Sequence, residues 1–460
     1  MAAEWDEMLL RDLLVTTKDG DWGKENPEEG FVPYHIIRGT DFPDVRVGDL
    51  SSVPLRYLSE GTVQRRTLEA DDVLIETAGG TRDRPTGRTL LVTKKALNRF
   101  RGPVTCASFA RFLRIDRTKA DPRFVYWYLQ YLYQKGEMSQ HQVQHTGVAR
   151  FQFTRFAETQ GIPLPPFPEQ EAIAQILGTL DDKIELNRRM NTTLEAMARA
   201  LFQSWFVDFD PVRAKLGRRP LAGLDPATAA LFPATFQDSP IGPVPKGWKV
   251  ERFDAHITAE RGLSYKGEGL RDDHTGLPMH NLNSIYEGGG YKHEGIKYYA
   301  GEYREKHLLE PGDMIVTNTE QGFDHLLIGH AAIIPECYGP KGLYSHHIYR
   351  VRHKQSSPFS PHYLVELLNN RRWHYWISGF SNGTTINMLP MDALEMPLLV
   401  VPPIELVTKF TALAEAVHLQ VETNLHQSRT LATLRDTLLP KLLSGELQAP
   451  PFDPGTDTTK

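Results

Sequence analysis

The sequence predicts an α+β fold: two similar domains of mixed β-sheet with helices, separated by two long antiparallel coiled-coil helices, the halves related as a pseudo-two-fold internal duplication. Three observations lead there. Matching segments recur at spacings that drift from 241 to 237 residues. Two stretches of about 40 residues carry an apolar seam at alternating steps of four and three. A proline-dense segment lies between the copies. With 460 residues, 40% of them hydrophobic, the chain can bury several cores.

The first domain is assigned to residues 1–163. It opens on Trp5-Asp6-Glu7-Met8-Leu9-Leu10, matched by Trp248-Lys249-Val250-Glu251-Arg252-Phe253 after Gly247. Leu68-Glu69-Ala70-Asp71-Asp72-Val73-Leu74-Ile75 corresponds to Leu309-Glu310-Pro311-Gly312-Asp313-Met314-Ile315-Val316, a tight turn feeding an apolar strand, at a spacing of 241. Ser108-Phe109-Ala110-Arg111-Phe112 aligns with His347-Ile348-Tyr349-Arg350-Val351, and Asp121-Pro122 with Ser360-Pro361, at 239. The latter two are helix starts, with Asp121 or Ser360 as cap and proline at the first helical position.

Residues 164–206 read as the first long helix, with seam positions Ile173, Leu177, Leu180, Ile184, Asn187, Asn191, Leu194, Ala198, Leu201 and Trp205. Residues 401–445 read as the second, where adding 237 gives Phe410, Ala414, Val417, Val421, Asn424, Ser428, Leu431, Arg435, Leu438 and Leu442. Asn187 and Asn424 are equivalent, and a buried asparagine on a seam fixes register at some cost in stability. Each helix should run about 57 to 60 Å, a length suited to setting a distance rather than filling a core. Two unrelated amphipathic helices are the alternative. However, seam period, polar interruptions and the preceding Pro165-Pro166 and Pro402-Pro403 recur together. Residues 207–246, with Pro211, Pro220, Pro226, Pro233, Pro240, Pro243 and Pro245, are expected as an extended linker. The second domain is 247–400, and 446–460 is expected as a disordered tail.

A net charge of −5 argues against a protein that coats nucleic acid indiscriminately. From Arg82 to Lys119, however, eleven Lys or Arg stand against two acids, Asp83 and Asp116, which makes a basic surface or an ordinary solvated basic face. Cys106 and Cys337 offer neither a disulfide framework nor a four-thiolate zinc site, and both are expected as buried thiols. A phosphate loop ending in Gly-Lys-Ser or Gly-Lys-Thr is absent from the sequence, and Gly288-Gly289-Gly290 reads as a flexible loop. His325, His330, His346, His347 and His353 lack metal-ligand spacing and are expected as polar surface or nucleic-acid-facing residues, with no metal. The acidic start and the lack of a long apolar run suggest a cytoplasmic protein with no membrane contact.

Three stretches carry a family resemblance: Ile162-Pro163-Leu164-Pro165-Pro166-Phe167-Pro168-Glu169-Gln170-Glu171-Ala172-Ile173-Ala174, then Leu180-Asp181-Asp182-Lys183-Ile184, then Ser204-Trp205-Phe206-Val207-Asp208-Phe209-Asp210-Pro211-Val212-Arg213-Ala214-Lys215. Together they resemble the central repeat of type I restriction-modification specificity (S) subunits, the HsdS family. The second repeat departs from the pattern, with Leu406-Val407 where Glu and Gln would fall, but Leu438-Leu439-Pro440-Lys441-Leu442-Leu443-Ser444-Gly445 is again similar. The resemblance implies two target-recognition domains, each reading one half of a bipartite asymmetric DNA site, and paired helices that set the gap and dock two methyltransferase subunits. It implies a non-catalytic chain without its own cofactor, S-adenosylmethionine, ATP and Mg belonging to partner subunits. Whether motor-nuclease (restriction) subunits join is left open. A coiled-coil scaffold that never touches DNA, or a self-sufficient methyltransferase or nuclease, is disfavoured; the latter needs catalytic motifs that the sequence lacks.

Candidate DNA-binding residues follow from the loops after the matched strands. Arg82, Arg84 and Arg88 in the first copy, and Asn318, Gln321 and His325 in the second, carry side chains that suit base edges. Lys94, Lys95 and Arg101 suit phosphates. A second matched pair of loops precedes the Pro-Pro motifs, with Arg150 in one and Asn382, Thr384 and Thr385 in the other. A simple hairpin turn is the competing reading for both.

Overall fold

A computed structural model of the chain describes residues 5–80, 84–145, 148–220, 223–322, 324–383 and 386–450. The chain forms two compact units, one of residues 1–189 with 427–460, the other of residues 190–426. The boundaries fall within both long helices rather than at their ends, so each unit includes part of each helix.

Each unit is built on the same four-stranded antiparallel sheet. In the first, the order is Leu14–Asp19, Ala110–Ile115, Val73–Glu76, Thr89–Leu91. In the second, it is Ile257–Arg261, Ile348–His353, Met314–Thr317, Ala331–Ile333. The first three residues of each matched strand are apolar because both faces are covered: Val73 and Ile75 enter one core and Leu74 another, as Met314 and Val316 enter one and Ile315 another.

Strand register corrects one part of the repeat alignment. Val73 pairs with Leu113 and Met314 with Val351, so Leu113, not Phe112, is the counterpart of Val351, at a spacing of 238. A one-residue shift exchanges the faces of a strand, and it replaces the Arg111–Arg350 match with Arg114–Arg352. The chemistry agrees. Arg114 donates to both carboxylate oxygens of Asp72 at 2.9 and 2.8 Å, and Arg352 does the same to Asp313 at 2.6 and 2.7 Å. Each aspartate also accepts the backbone N–H three residues earlier, from Glu69 and Glu310.

A second sheet in each unit keeps one parallel pair, His35–Ile37 with Val104–Cys106 and Met279–His280 with Leu343–Tyr344. Each unit also closes a two-stranded ribbon, Asp6–Leu9 on Gly161–Leu164 and Lys249–Arg252 on Leu398–Val401, whose second strand leads into Pro-Pro and a long helix. The predicted caps are present: Asp121 accepts from the N–H of Arg123 and Phe124, and Ser360 from that of Tyr363.

The long helices run Phe167–Phe202, continued by a π-helical turn over Gln203–Val207, and Ile404–Leu443. All twenty predicted seam positions are buried or half-buried. In the first unit Arg435 pairs with Asp181 at 2.5 Å, and Asn187 donates to Gln427 and Ser428 at 2.9 and 3.2 Å. In the second, Asn424 donates to Asn191 at 2.7 Å and Phe202 meets Phe410. Partner numbers fall as residue numbers rise, so within each unit the helix segments are antiparallel.

Residues 207–246 are not an extended linker. They form helices Asp210–Leu216 and Pro226–Ala230, and Phe209, Val212 and Phe232 sit in the core of the second unit, because the prolines punctuate apolar residues that have a surface to bury against. The predicted disordered tail is ordered as far as residue 450, with Ala449 packed in the first unit's core, and its remainder lies outside the described residues. Gly288-Gly289-Gly290 is packed as well: Gly289 has φ +93° and lies so close to Asn369 that a Cβ would collide with its amide. Cys106 is buried as expected, but Cys337 is exposed.

Candidate nucleic-acid interface

In each unit the fold brings the two predicted loops together. Ala78–Gly80, just after the first matched strand, pairs with Val148–Phe151, which pairs in turn with Gln142–His145. In the second unit Thr319–Gln321 pairs with Ile386–Met388. Sequence positions about 70 residues apart thus become neighbours on one hairpin surface in both copies.

The first surface presents Arg150, exposed and without an ion pair among the described residues. It lines a 660 Å³ cleft with Phe109, Arg111 and Arg155, bounded by Asp19 and Glu158. Phe109 is 58% exposed, an open apolar ring among cations. Arg84 is half-buried and donates to the Gly79 carbonyl at 2.9 Å. Arg82 lies outside the described residues.

On the second surface Gln321 and Asn382 are exposed. Asn382 and Met388 exchange two backbone hydrogen bonds of 2.9 Å, closing the loop between them. His325 takes φ +50°, with Nδ1 3.5 Å from Ser381 Oγ. The loop from 320 to 328 is held by the buried Glu320 carboxylate, which accepts the N–H groups of Leu326, Leu327 and Ile328 at 2.8, 3.1 and 3.0 Å. Thr384 and Thr385 lie outside the described residues.

The structure puts three other candidates to different use. Asn318 is fully buried: its amide donates to the His346 carbonyl at 3.1 Å and its carbonyl accepts from Thr319 at 2.7 Å, so it anchors the loop from below. Arg88 is locked on Glu76 by two bonds of 2.9 and 2.7 Å and donates to the Gly39 carbonyl, with its side chain only 14% exposed. Lys95 binds Glu185 at 2.6 Å on the first long helix, and Arg99 approaches the same carboxylate. Lys94 and Arg101 remain exposed and make no ion pair among the described residues.

The run from Arg82 to Lys119 is therefore largely neutralised. Beyond Arg88, Lys95 and Arg99, Arg111 pairs with Asp19, Arg114 with Asp72, Arg117 with Asp71 and Lys119 with Asp116. Acids from elsewhere in the sequence meet these cations once the chain folds.

Among the histidines, His330 is buried rather than exposed. It stacks on His374 with ring centroids 3.9 Å apart, and its Nδ1 lies 3.3 Å from Asn369 Oδ1. Burial lowers its pKa to about 4, with the neighbouring His374 adding to the effect, so the ring is neutral at pH 7. His346 and His347 also lie ring to ring, at 3.9 Å. No group of three or more metal-ligating side chains occurs among the described residues.

One feature escaped the sequence reading. After Pro361–Asn369 the chain breaks at Asn370, which caps a new helix, Arg371–Ser378, by accepting from the Arg372 N–H at 3.1 Å. Trp373 and Ile377 face the core, while Arg371, Arg372, Tyr375 and Trp376 are exposed, followed by exposed Phe380. Tyr375, at 83% exposure, is the most open of the large hydrophobic side chains among the described residues. The signal was the run Arg-Arg-Trp-His-Tyr-Trp, with apolar and cationic residues at helical spacing. Among the described residues the first copy has no such helix; there Pro122–Gln134 runs unbroken to its cap at Lys135, followed by a single 3-10 turn over Glu137–His141.

The type I restriction modification DNA specificity domain matches this chain over residues 3–196. Over 465 residues the chain is 23% identical to the type I restriction enzyme MjaIX specificity subunit of Methanocaldococcus jannaschii, covering 97% of this chain and 94% of that protein. A stretch of 52 residues is 62% identical to the type I restriction enzyme HindI specificity subunit of Haemophilus influenzae, 11% of either chain. The fold is similar to the crystal structure of the type I restriction-modification S subunit from M. genitalium, with TM-score 0.53 and 13% identity over 95% of this chain and 96% of that one. No helix among the described residues is long and apolar enough to cross a membrane.

Proposed function

We propose that this chain, whose residues 3–196 match the type I restriction modification DNA specificity domain, is the non-catalytic subunit through which a type I restriction-modification complex reads DNA. Each unit reads one half of a bipartite site. The observation that supports this most directly is the recurrence, on two copies of one sheet, of the same pairing between a post-strand loop and a pre-helix hairpin. A shared scaffold with unlike tips is what two half-sites of different sequence require. Arg150 and Phe109 stand on one surface where Gln321, His325 and Asn382 stand on the other.

The long helices set the gap between the half-sites and dock two methyltransferase subunits, which carry S-adenosylmethionine. ATP and Mg belong to motor-nuclease subunits where these join. The bound DNA is double-stranded, and the complex is cytoplasmic.

The test is to co-express the chain with the methyltransferase subunit of its own system in a methylation-free host and map modified adenines by long-read sequencing. A gapped, asymmetric motif, with one half altered when residues 247–395 are exchanged for those of another family member, is the expected result. An active, soluble complex that methylates no defined motif would overturn the proposal and leave a scaffold role in its place.

A further inference from the structure

The exposed face of the helix Arg371–Ser378 has no role in the loop-tip reading above, and its composition is specific. Arg371, Arg372, Tyr375 and Trp376 fall at positions i, i+1, i+4 and i+5, hence on one side of the helix, while Trp373 and Ile377 are buried on the other. Phe380 extends the patch, with Trp376 edge-on to both Trp373 and Phe380 at centroid distances of 5.7 and 6.3 Å. The Trp376 ring is thereby braced at a fixed angle, while Tyr375 projects from the surface.

A solitary exposed aromatic is ordinary, but three together beside two exposed arginines that make no ion pair among the described residues are not. The patch lines an open groove of 1360 Å³ shared with His325, Leu326 and Asn370. His325 belongs to the post-strand loop and is tied through Ser381 to the segment leading to Asn382, so the groove adjoins the candidate reading surface. Three acids, Asp208, Glu287 and Asp324, line the groove with Arg199, Arg371 and Arg372, and Asp208 is engaged by the Gln203 amide at 2.9 Å.

We propose that this helix is a DNA-distorting element: Arg371 and Arg372 hold phosphates, and Tyr375, supported by Trp376, stacks against an unstacked base step at the half-site read by the second unit. Free guanidinium groups complement the phosphate backbone, and aromatic faces stack on any base. Side chains pushed between base steps unstack them and bend the duplex, which adds specificity for deformable steps that no hydrogen bond reads. Because the first unit continues its helix where the second breaks, the distortion is confined to one half-site.

This inference rests on the DNA-reading function, so its test separates the two. The full complex with its methyltransferase subunits is titrated with duplexes of the mapped motif carrying 2-aminopurine at each second-half-site position other than the methylated adenine. We expect a fluorescence rise at one step with the wild-type chain. It should vanish in Tyr375→Ala, with binding weakened about tenfold, whereas Arg371→Ala and Arg372→Ala keep the rise at saturation and each lower the salt dependence by about one phosphate contact. Wild-type binding without a rise at any position, and with Tyr375→Ala affinity unchanged, would overturn the inference while leaving the DNA-reading function intact. Loss of methyltransferase association in Tyr375→Ala, with the rise preserved in what complex remains, would make the patch a protein-docking face and also overturn it. Absence of any duplex binding by the wild-type complex would overturn both.

Discussion

The Asn424 amide donates to Asn191 Oδ1 at 2.7 Å, and the repeat counterpart of this contact is the bond from Asn187 to Ser428 at 3.2 Å. Asn424 is the repeat equivalent of Asn187, and Ser428 that of Asn191, so each seam makes the same polar contact with the roles exchanged. Such pairs set register in an otherwise apolar seam. Asn424→Ala should cost about 1–3 kcal/mol by taking the donor from the buried Asn191 Oδ1, whose amide still donates to the Val421 carbonyl. The double variant Asn191→Leu/Asn424→Leu should recover most of that loss, since removing both partners leaves no orphan. Chemical denaturation of the wild type, Asn191→Leu, Asn424→Leu and the double variant forms the cycle; a double variant as unstable as the sum of the two single ones would remove the pairing as the reason for these asparagines.

Arg88 and Arg150 should separate stability from binding. Arg88→Ala strands the Glu76 carboxylate, whose side chain is 2% exposed, and should destabilise the first unit by about 3 kcal/mol or more. Arg150→Ala should leave the melting temperature unchanged while weakening duplex binding by the complex and reducing its salt slope by about one. A destabilised Arg150→Ala, or an unaltered Arg88→Ala, would reverse the assignment.

The isolated chain should hold duplex DNA poorly. Its net charge is −5, and most cations of its one basic run are spent on internal acids. At about 0.15 M salt its affinity should stay in the range of non-specific binding, roughly micromolar or weaker. Methyltransferase subunits should tighten binding by orders of magnitude, measurable by fluorescence anisotropy. Nanomolar, strongly salt-dependent binding by the chain alone would contradict this.

His330 should make the second unit acid-sensitive. Its folded pKa, about 4, lies below the ordinary 6.5, so its contribution is present above pH 6.5 and is lost as pH falls toward 4. By pH 5 the loss should be about 2 kcal/mol, visible as a falling melting temperature. His330→Asn, which retains a polar partner for Asn369, should be less stable at pH 7 but should lose less between pH 7 and pH 5. Parallel pH profiles for the two proteins would rule His330 out as a source.

The two thiols should differ sharply in reactivity. Cys337 is exposed and should react with a thiol reagent within the mixing time, whereas Cys106 is buried, its thiol pushed up to about 12 by desolvation, and should react only on unfolding. Two equally fast thiols in the native protein would show that the strand Val104–Cys106 is open.

The duplication, the seam with its asparagines, the helix caps at Asp121 and Ser360, and the resemblance to type I specificity subunits were legible in the sequence, because each rests on local spacing that survives in one dimension. What the sequence left ambiguous was decided by partners far away along the chain. The basic run read as an interface until Glu185, Asp19 and Asp72 arrived from other elements to neutralise it. Asn318 carried the right chemistry for a base, but strand pairing turned it into the core. The proline-rich segment became part of a core because Phe209, Val212 and Phe232 found apolar surface there. The repeat itself was placed one residue out on its arginine strand, since only hydrogen-bond register shows which of two adjacent residues faces Asp72 or Asp313. Periodicity and capping are set by neighbours in sequence, whereas the fate of a charge or a polar side chain is set by what folding brings within about 3 Å of it.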